Sequence, residues 1–123
     1  MSRLAREWVA KAEDDYDVAR TLLRRKRIVA DIVCFHAQQS AEKFTKALLQ
    51  EREIRFGKTH DLLSLLGLLD VSEGLSLMRD DFRVLWGFAV KTRYPGYSAT
   101  VTEARNAVKA AKRIRGAILP ILR

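Results

Sequence analysis

Phe35-His36-Ala37-Gln38-Gln39-Ser40-Ala41-Glu42-Lys43-Phe44-Thr45-Lys46-Ala47-Leu48 reads as the middle of one long helix. Val33, Ala37, Ala41, Phe44 and Leu48 recur at three- and four-residue spacing, which lays a continuous apolar stripe along one helix face. The opposite face carries Ile32, Phe35, Gln39, Glu42, Lys46 and Leu49. A fully solvated face would not need Ile32, Phe35 and Leu49, so these three are expected to meet a second copy of the chain; packing against the last helix of the same chain is the alternative. The helix spans about Ile28 to Glu53, and Gly57 falls in the break that follows.

Working outward, a first helix is expected from about Leu4 to Lys26, with Leu4, Trp8, Ala12, Ala19 and Leu22 inward and Asp15 on the same stripe. Thr59 is placed to cap a third helix running to about Leu69, with Asp61 in its first turn. Ser72-Glu73-Gly74 breaks the chain before a fourth helix, about Leu75 to Thr92, with Met78, Phe82, Leu85, Trp86 and Ala89 inward. Pro95 and Gly96 form the next turn. Thr100 and Glu103 have capping-box spacing and open a fifth helix, whose stripe of Ala104, Ala107, Ala111, Ile114 and Ile118 ends near Pro120. No strand pattern of useful length, repeat or linker interrupts this order. Residues 1–123 are therefore expected to form a single all-α domain, an up-and-down bundle of four to five helices with short connections.

At 123 residues the chain is long enough for its own core, and 48% hydrophobic with 31% charged residues describes an ordinary globule, not a disordered segment. The longest near-continuous apolar run, Leu62 to Leu69, is too short to cross a bilayer, and the N-terminus lacks the apolar region of a signal peptide. Cys34 is the one cysteine, so an internal disulfide is excluded and the residue reads as a small buried hydrophobe. A cytoplasmic protein without membrane partner is the expectation. The net charge of +8 fits a phosphate-bearing partner as well as a plain solvated surface. Arg24, Arg25, Lys26 and Arg27 cluster at one helix end, where the helix dipole also favours them, and Arg105, Lys109, Lys112, Arg113 and Arg115 stud the last helix.

Several polar residues fall on stripes directed at the core. Arg93 continues the line of Phe82, Trp86 and Ala89, so it must snorkel out or find an acceptor, with Asp15 and Glu42 as the nearest candidates in kind. Such an arginine either locks the helices as an ion pair or presents its planar fork to phosphate. His36 reads as a hydrogen-bonded structural residue beside Gln39 and Lys43, and His60 as a residue at a helix start that caps or lines a cleft. Two histidines without a carboxylate at ligand spacing make no metal site, and no cofactor is implied. Gly57-Lys58-Thr59 lacks the upstream glycine and strand of a P-loop. Neither Cys34 nor Ser64 has the setting of a triad nucleophile.

Taken together, Trp8, Ala12, Asp15 and Ala19, then Gln38-Gln39-x-x-Glu42-Lys43-x-x-Lys46-Ala47-Leu48, Lys58-Thr59-His60-Asp61-Leu62 and Arg93-Tyr94-Pro95 resemble the HEPN domain family along nearly the whole chain. The set is similar to the prokaryotic branch often encoded beside a minimal nucleotidyltransferase. The resemblance implies a dimer of helical bundles around a shared cleft, with Asp15, Gln39, Glu42, Lys43, Lys58, His60 and Arg93 as the nucleotide or RNA cleft. Many members are metal-independent RNases whose motif is an arginine followed four to six residues later by a histidine. Arg93 matches the arginine, but Tyr94 to Thr100 contains no histidine. Arg55 to His60 satisfies the pattern literally, between the second and third helices. Some members are toxins silenced by attachment of AMP to a tyrosine near that motif; Tyr94 and Tyr97 are the residues so placed here.

Three functions follow from the resemblance and the residues together. The first is a dimeric nucleotide- or RNA-binding partner of a minimal nucleotidyltransferase in a toxin–antitoxin-like module. The second is a metal-independent endoribonuclease toxin that uses His60 as base and Arg93 to stabilise the charged phosphorane. The third is a purely structural interaction module in which Asp15, Glu42 and Arg93 lock the bundle.

Overall fold

The computed structural model describes residues 1–69 and 74–122. The described residues form helices and their connections, with no strand. In chain order these are α1 (Arg3–Leu23), α2 (Ala30–Glu51), α3 (Leu62–Gly67), a 3-10 turn (Leu75–Met78), α4 (Arg79–Leu85), α5 (Phe88–Lys91) and α6 (Val101–Leu122).

The all-α bundle is thus as read, and α2 is its axis. Val33, Ala37, Ala41, Phe44 and Leu48 have no exposed surface, matching the stripe read from spacing. Helix α1 starts at Ser2, whose Oγ accepts the Ala5 N–H at 3.1 Å. Its seam is Ala5, Ala12 and Ala19, seven residues and about two turns apart, all fully buried. Such small residues let helix axes approach closely. Leu4, expected inward, is 52% exposed because Ala5 occupies that inward position.

At the far end the capping box is formed reciprocally. Thr100 Oγ1 accepts the Glu103 N–H at 3.0 Å, and Glu103 Oε1 accepts the Thr100 N–H at 3.0 Å. Asp31 Oδ1 accepts the Ala99 N–H at 2.6 Å, so α6 begins beside the start of α2. Ala104, Ala107, Ala111, Ile114 and Ile118 are fully buried, as the stripe predicts. The helix does not stop at Pro120 but runs through it to Leu122, which is itself buried.

Three sequence expectations give way to tertiary geometry. Asp61, not Thr59, caps α3: its Oδ1 accepts the Leu63 and Ser64 N–H groups at 3.1 and 3.2 Å, while Thr59 Oγ1 accepts from Asp61 N–H. The fourth helix is broken in two, because Trp86 turns extended at ψ 130° and Gly87 takes φ 92°, a left-handed value that a side chain resists. Trp86 is consequently 51% exposed instead of inward, its Nε1–H donating to Asp61 Oδ1 at 3.0 Å. The link from α2 to α3 is also not a short turn; it doubles back far enough to set His60 against Glu42 in mid-helix. Of the expected break at Ser72-Glu73-Gly74, Ser72 and Glu73 lie outside the described residues, and Gly74 is left-handed at φ 76°.

Candidate functional site

The mixed face of α2 becomes a polar seam covered on both sides. Glu42 is almost wholly buried and is the hub. Its Oε2 accepts from Lys46 Nζ at 3.1 Å, and its Oε1 lies 2.8 Å from His60 Nδ1, where an N–H on that nitrogen donates to the carboxylate. Gln38 Nε2 donates to the same Oε1 at 3.4 Å and to the His60 carbonyl at 3.3 Å. Gln39 Nε2 in turn donates to Gln38 Oε1 at 2.7 Å. Lys46 is buried beside the rings of Trp8 (5.4 Å) and Phe56 (5.8 Å), so a desolvated ammonium has one carboxylate and two aromatic neighbours. Its i, i+4 spacing from Glu42 is what one helix face permits.

A second buried carboxylate lies on the α1 flank. Asp15 Oδ2 accepts from Lys43 Nζ at 2.5 Å, and its Oδ1 is 2.8 Å from His36 Nδ1. The structural role read for His36 is the one observed. The two carboxylates thereby use up their nearby cations, and Arg93 pairs with neither. Arg93 is exposed, its guanidinium carbon 5.3 Å above the ring of Phe35, and it enters no ion pair among the described residues. Of the two outcomes expected for Arg93, reaching out or pairing with Asp15 or Glu42, the first is observed, and the break at Gly87 takes Arg93 off the inward line.

The chain nonetheless brings both catalytic candidates to one stripe. Arg93 touches α2 at Phe35 and His60 touches it at Glu42, seven residues and about 10.5 Å of helix rise apart, with Gln39 between. Lys58 is exposed in the connection just before His60. Arg55 of the literal motif lines an open cavity of about 490 Å³ with Gln50, Glu53, Ile54 and Phe56, a set that does not include His60.

Of the three interface candidates, Ile32 is exposed and Phe35 half-buried beneath Arg93. Leu49 is corrected: it has 0% exposure, closed off by the chain's own packing, and offers nothing to a partner. Tyr94 is 64% exposed. Tyr97 is half-buried and donates to Glu103 Oε2 at 2.9 Å; burial, then the bond to that carboxylate, pushes its phenol up to about 12. The same bonds hold Glu103 below the ordinary carboxylate range, the Thr100 N–H first among them. Cys34 is fully buried, and burial raises its thiol to about 12, far from nucleophilic.

The sequence reading missed Gln38, Trp8 and Phe56 as members of the seam. Gln38 stands directly beside Gln39, and its full burial has no signal in spacing. Trp8 belongs to the resembling set but reads on the apolar stripe and not in the cleft, and Phe56 lies in an aperiodic connection.

These features define a class. The HEPN domain model matches residues 5–121, and the chain belongs to the HEPN domain family. Among solved structures it is similar to TT1696 from Thermus thermophilus, at 29% identity and a TM-score of 0.80 over 96% of this chain and 97% of that one. It is also similar to ST0689, an archaeal HEPN homologue, at 25% identity and a TM-score of 0.77 over the full length of both chains. No curated protein matches it. No helix among the described residues is long and apolar enough to cross a membrane.

Proposed function

We propose that this chain is a cytoplasmic, homodimeric HEPN protein that binds nucleotide or RNA along the α2 seam and partners a minimal nucleotidyltransferase in a toxin–antitoxin-like module. One observation carries the binding role. Arg93 is held over Phe35 with no carboxylate paired to it among the described residues, on the same stripe as His60. A guanidinium buttressed by an aromatic face and not spent on an internal acceptor suits a phosphate group. The missing histidine after Arg93 favours binding over cleavage. Exposed Ile32 and half-buried Phe35 favour a second copy on this face. The exposure of Tyr94 favours it over Tyr97 as the hydroxyl open to modification, since Tyr97 already donates to Glu103.

Binding of fluorescent RNA and nucleotide tests this reading. Arg93→Ala is expected to weaken binding about tenfold or more, the loss of one charge-assisted contact, with helicity and dimer mass unchanged. Unchanged affinity removes Arg93 from the site.

One observation favours a second reading, a metal-independent endoribonuclease. His60 Nδ1 is oriented by buried Glu42, which leaves Nε2 as the nitrogen for proton transfer. That reading requires RNA cleavage in chelator that His60→Ala abolishes.

A further inference from the structure

Helix α1 and helix α6 carry a cationic face that the α2 seam does not use. The two helices are pinned at Tyr16, whose ring lies 5.3 Å from the guanidinium carbons of both Arg20 and Arg115. Arg115 also grips Glu13 through Nε and Nη2 at 2.5 and 2.8 Å. From that contact, α1 running forward and α6 running backward head for the same end of the bundle, where Asp31 holds Ala99. Along that course lie Arg24 and Arg27, just past the end of α1, and Arg105, Lys109 and Lys112 from α6, all exposed. None of these five enters an ion pair among the described residues. Arg20 has only Asp17, at 3.7 Å, and its Nε is the one buried side-chain polar atom without a partner among the described residues.

Helix stability does not account for the α6 cations. Arg105 lies close to the α6 N-terminus, where the dipole disfavours positive charge, and Lys109 and Lys112 are mid-helix without an acidic i±4 partner in contact. Their four- and three-residue spacing puts three charges along about 10.5 Å of one face, a row matched to a chain of phosphates. A lipid surface would need apolar side chains interleaved with the cations. Val18, Val29 and Val101 are among the large exposed apolar residues that fall on or beside these two helices, and none interleaves with Arg105, Lys109 and Lys112.

We infer that the α1–α6 face binds the phosphodiester backbone of a nucleic acid, independently of the α2 seam. The contact is with backbone and not bases, because the row holds flexible cations without an aromatic stacking platform. The inference does not rest on the cleft reading.

The test measures binding of short labelled single-stranded RNA, duplex DNA and phosphatidylcholine–phosphatidylserine vesicles across a salt series. It uses the full-length wild type, Arg105→Gln/Lys109→Gln/Lys112→Gln, Arg24→Gln/Arg27→Gln and Arg93→Gln, with folding checked by melting. Both basic-face variants are expected to bind about tenfold or more weakly. For RNA the triple variant is expected to lose roughly 2 from the slope of log K against log salt, about 0.7 per lost contact. Equal losses on RNA and DNA, or loss on one alone, both support the inference, and the second names the source. Unchanged affinity and slope in the folded triple variant overturn it, as does binding confined to phosphatidylcholine–phosphatidylserine vesicles. Loss in Arg93→Gln alone overturns it while leaving the cleft reading standing; loss in the basic-face variants alone does the reverse.

Discussion

His60 Nδ1 lies 2.8 Å from Glu42 Oε1, across eighteen residues of chain, and this contact folds the α2–α3 connection back over α2. One partner is almost wholly buried and the other has a side chain 55% exposed. The asymmetry predicts opposite outcomes on substitution.

Glu42→Ala strands the buried Lys46 ammonium without its carboxylate. A loss of about 3–5 kcal/mol in unfolding free energy is expected, the scale for breaking a buried pair. His60→Ala removes an exposed partner and is expected to cost about 1 kcal/mol or less. Urea denaturation of both variants checks this; equal losses would contradict a buried hub at Glu42.

Thr100→Ala removes the hydroxyl half of the α6 capping box. The expected cost is about 1 kcal/mol, within the range for cap removal, and Thr100→Ser should retain most of the stability.

Gly87→Ala places a side chain at φ 92°, where Lys91 atoms lie no closer than 3.5 Å. Space is adequate, so the cost is backbone strain, about 1–2 kcal/mol. A variant as stable as wild type would mean that the α4–α5 break does not need this conformation.

Tyr97 provides a pH signature. Its folded phenol is raised to about 12 from an ordinary 10, so the folded state holds the proton more tightly than the unfolded chain. Its stabilising contribution is whole below pH of about 10 and is lost as pH rises towards 12. Tyr97→Phe should remove that component of the alkaline loss. In an ultraviolet titration of the folded protein, the wild-type-minus-variant difference should ionise near 12; ionisation near 10 would contradict the burial of Tyr97 and its bond to Glu103.

Cys34 should resist a thiol reagent in the folded protein at mildly alkaline pH and react on unfolding, since burial both shields it and raises its thiol. Fast native reaction would contradict its packing.

Much of the bundle is legible in the sequence because helix periodicity is local. The α2 stripe from Val33 to Leu48 and the Thr100–Glu103 box need only neighbours three and four residues away. Arg93 shows where that stops. Its place on the line of Phe82, Trp86 and Ala89 holds only while the helix is unbroken, and a single left-handed glycine at position 87 cancels the phase. Leu49 fails differently: spacing assigns it to the outer face, but nothing local reveals how much of that face the chain itself covers. The candidate residues Asp15, Gln39, Glu42, Lys43, Lys58, His60 and Arg93 could be picked out of the sequence one by one, but their pairing could not. Which carboxylate takes which cation depends on where the connection at residues 52–61 returns, and no periodic signal encodes that path.

Incubation of RNA with purified protein in chelator, with binding and cleavage read from the same samples, tests the central claim most directly. The account predicts that the wild type binds RNA without cutting it, and that Arg93→Ala weakens binding while leaving the fold intact. Cleavage by the wild type that both His60→Ala and Arg93→Ala abolish, with folding preserved, would contradict it and make the protein an RNase.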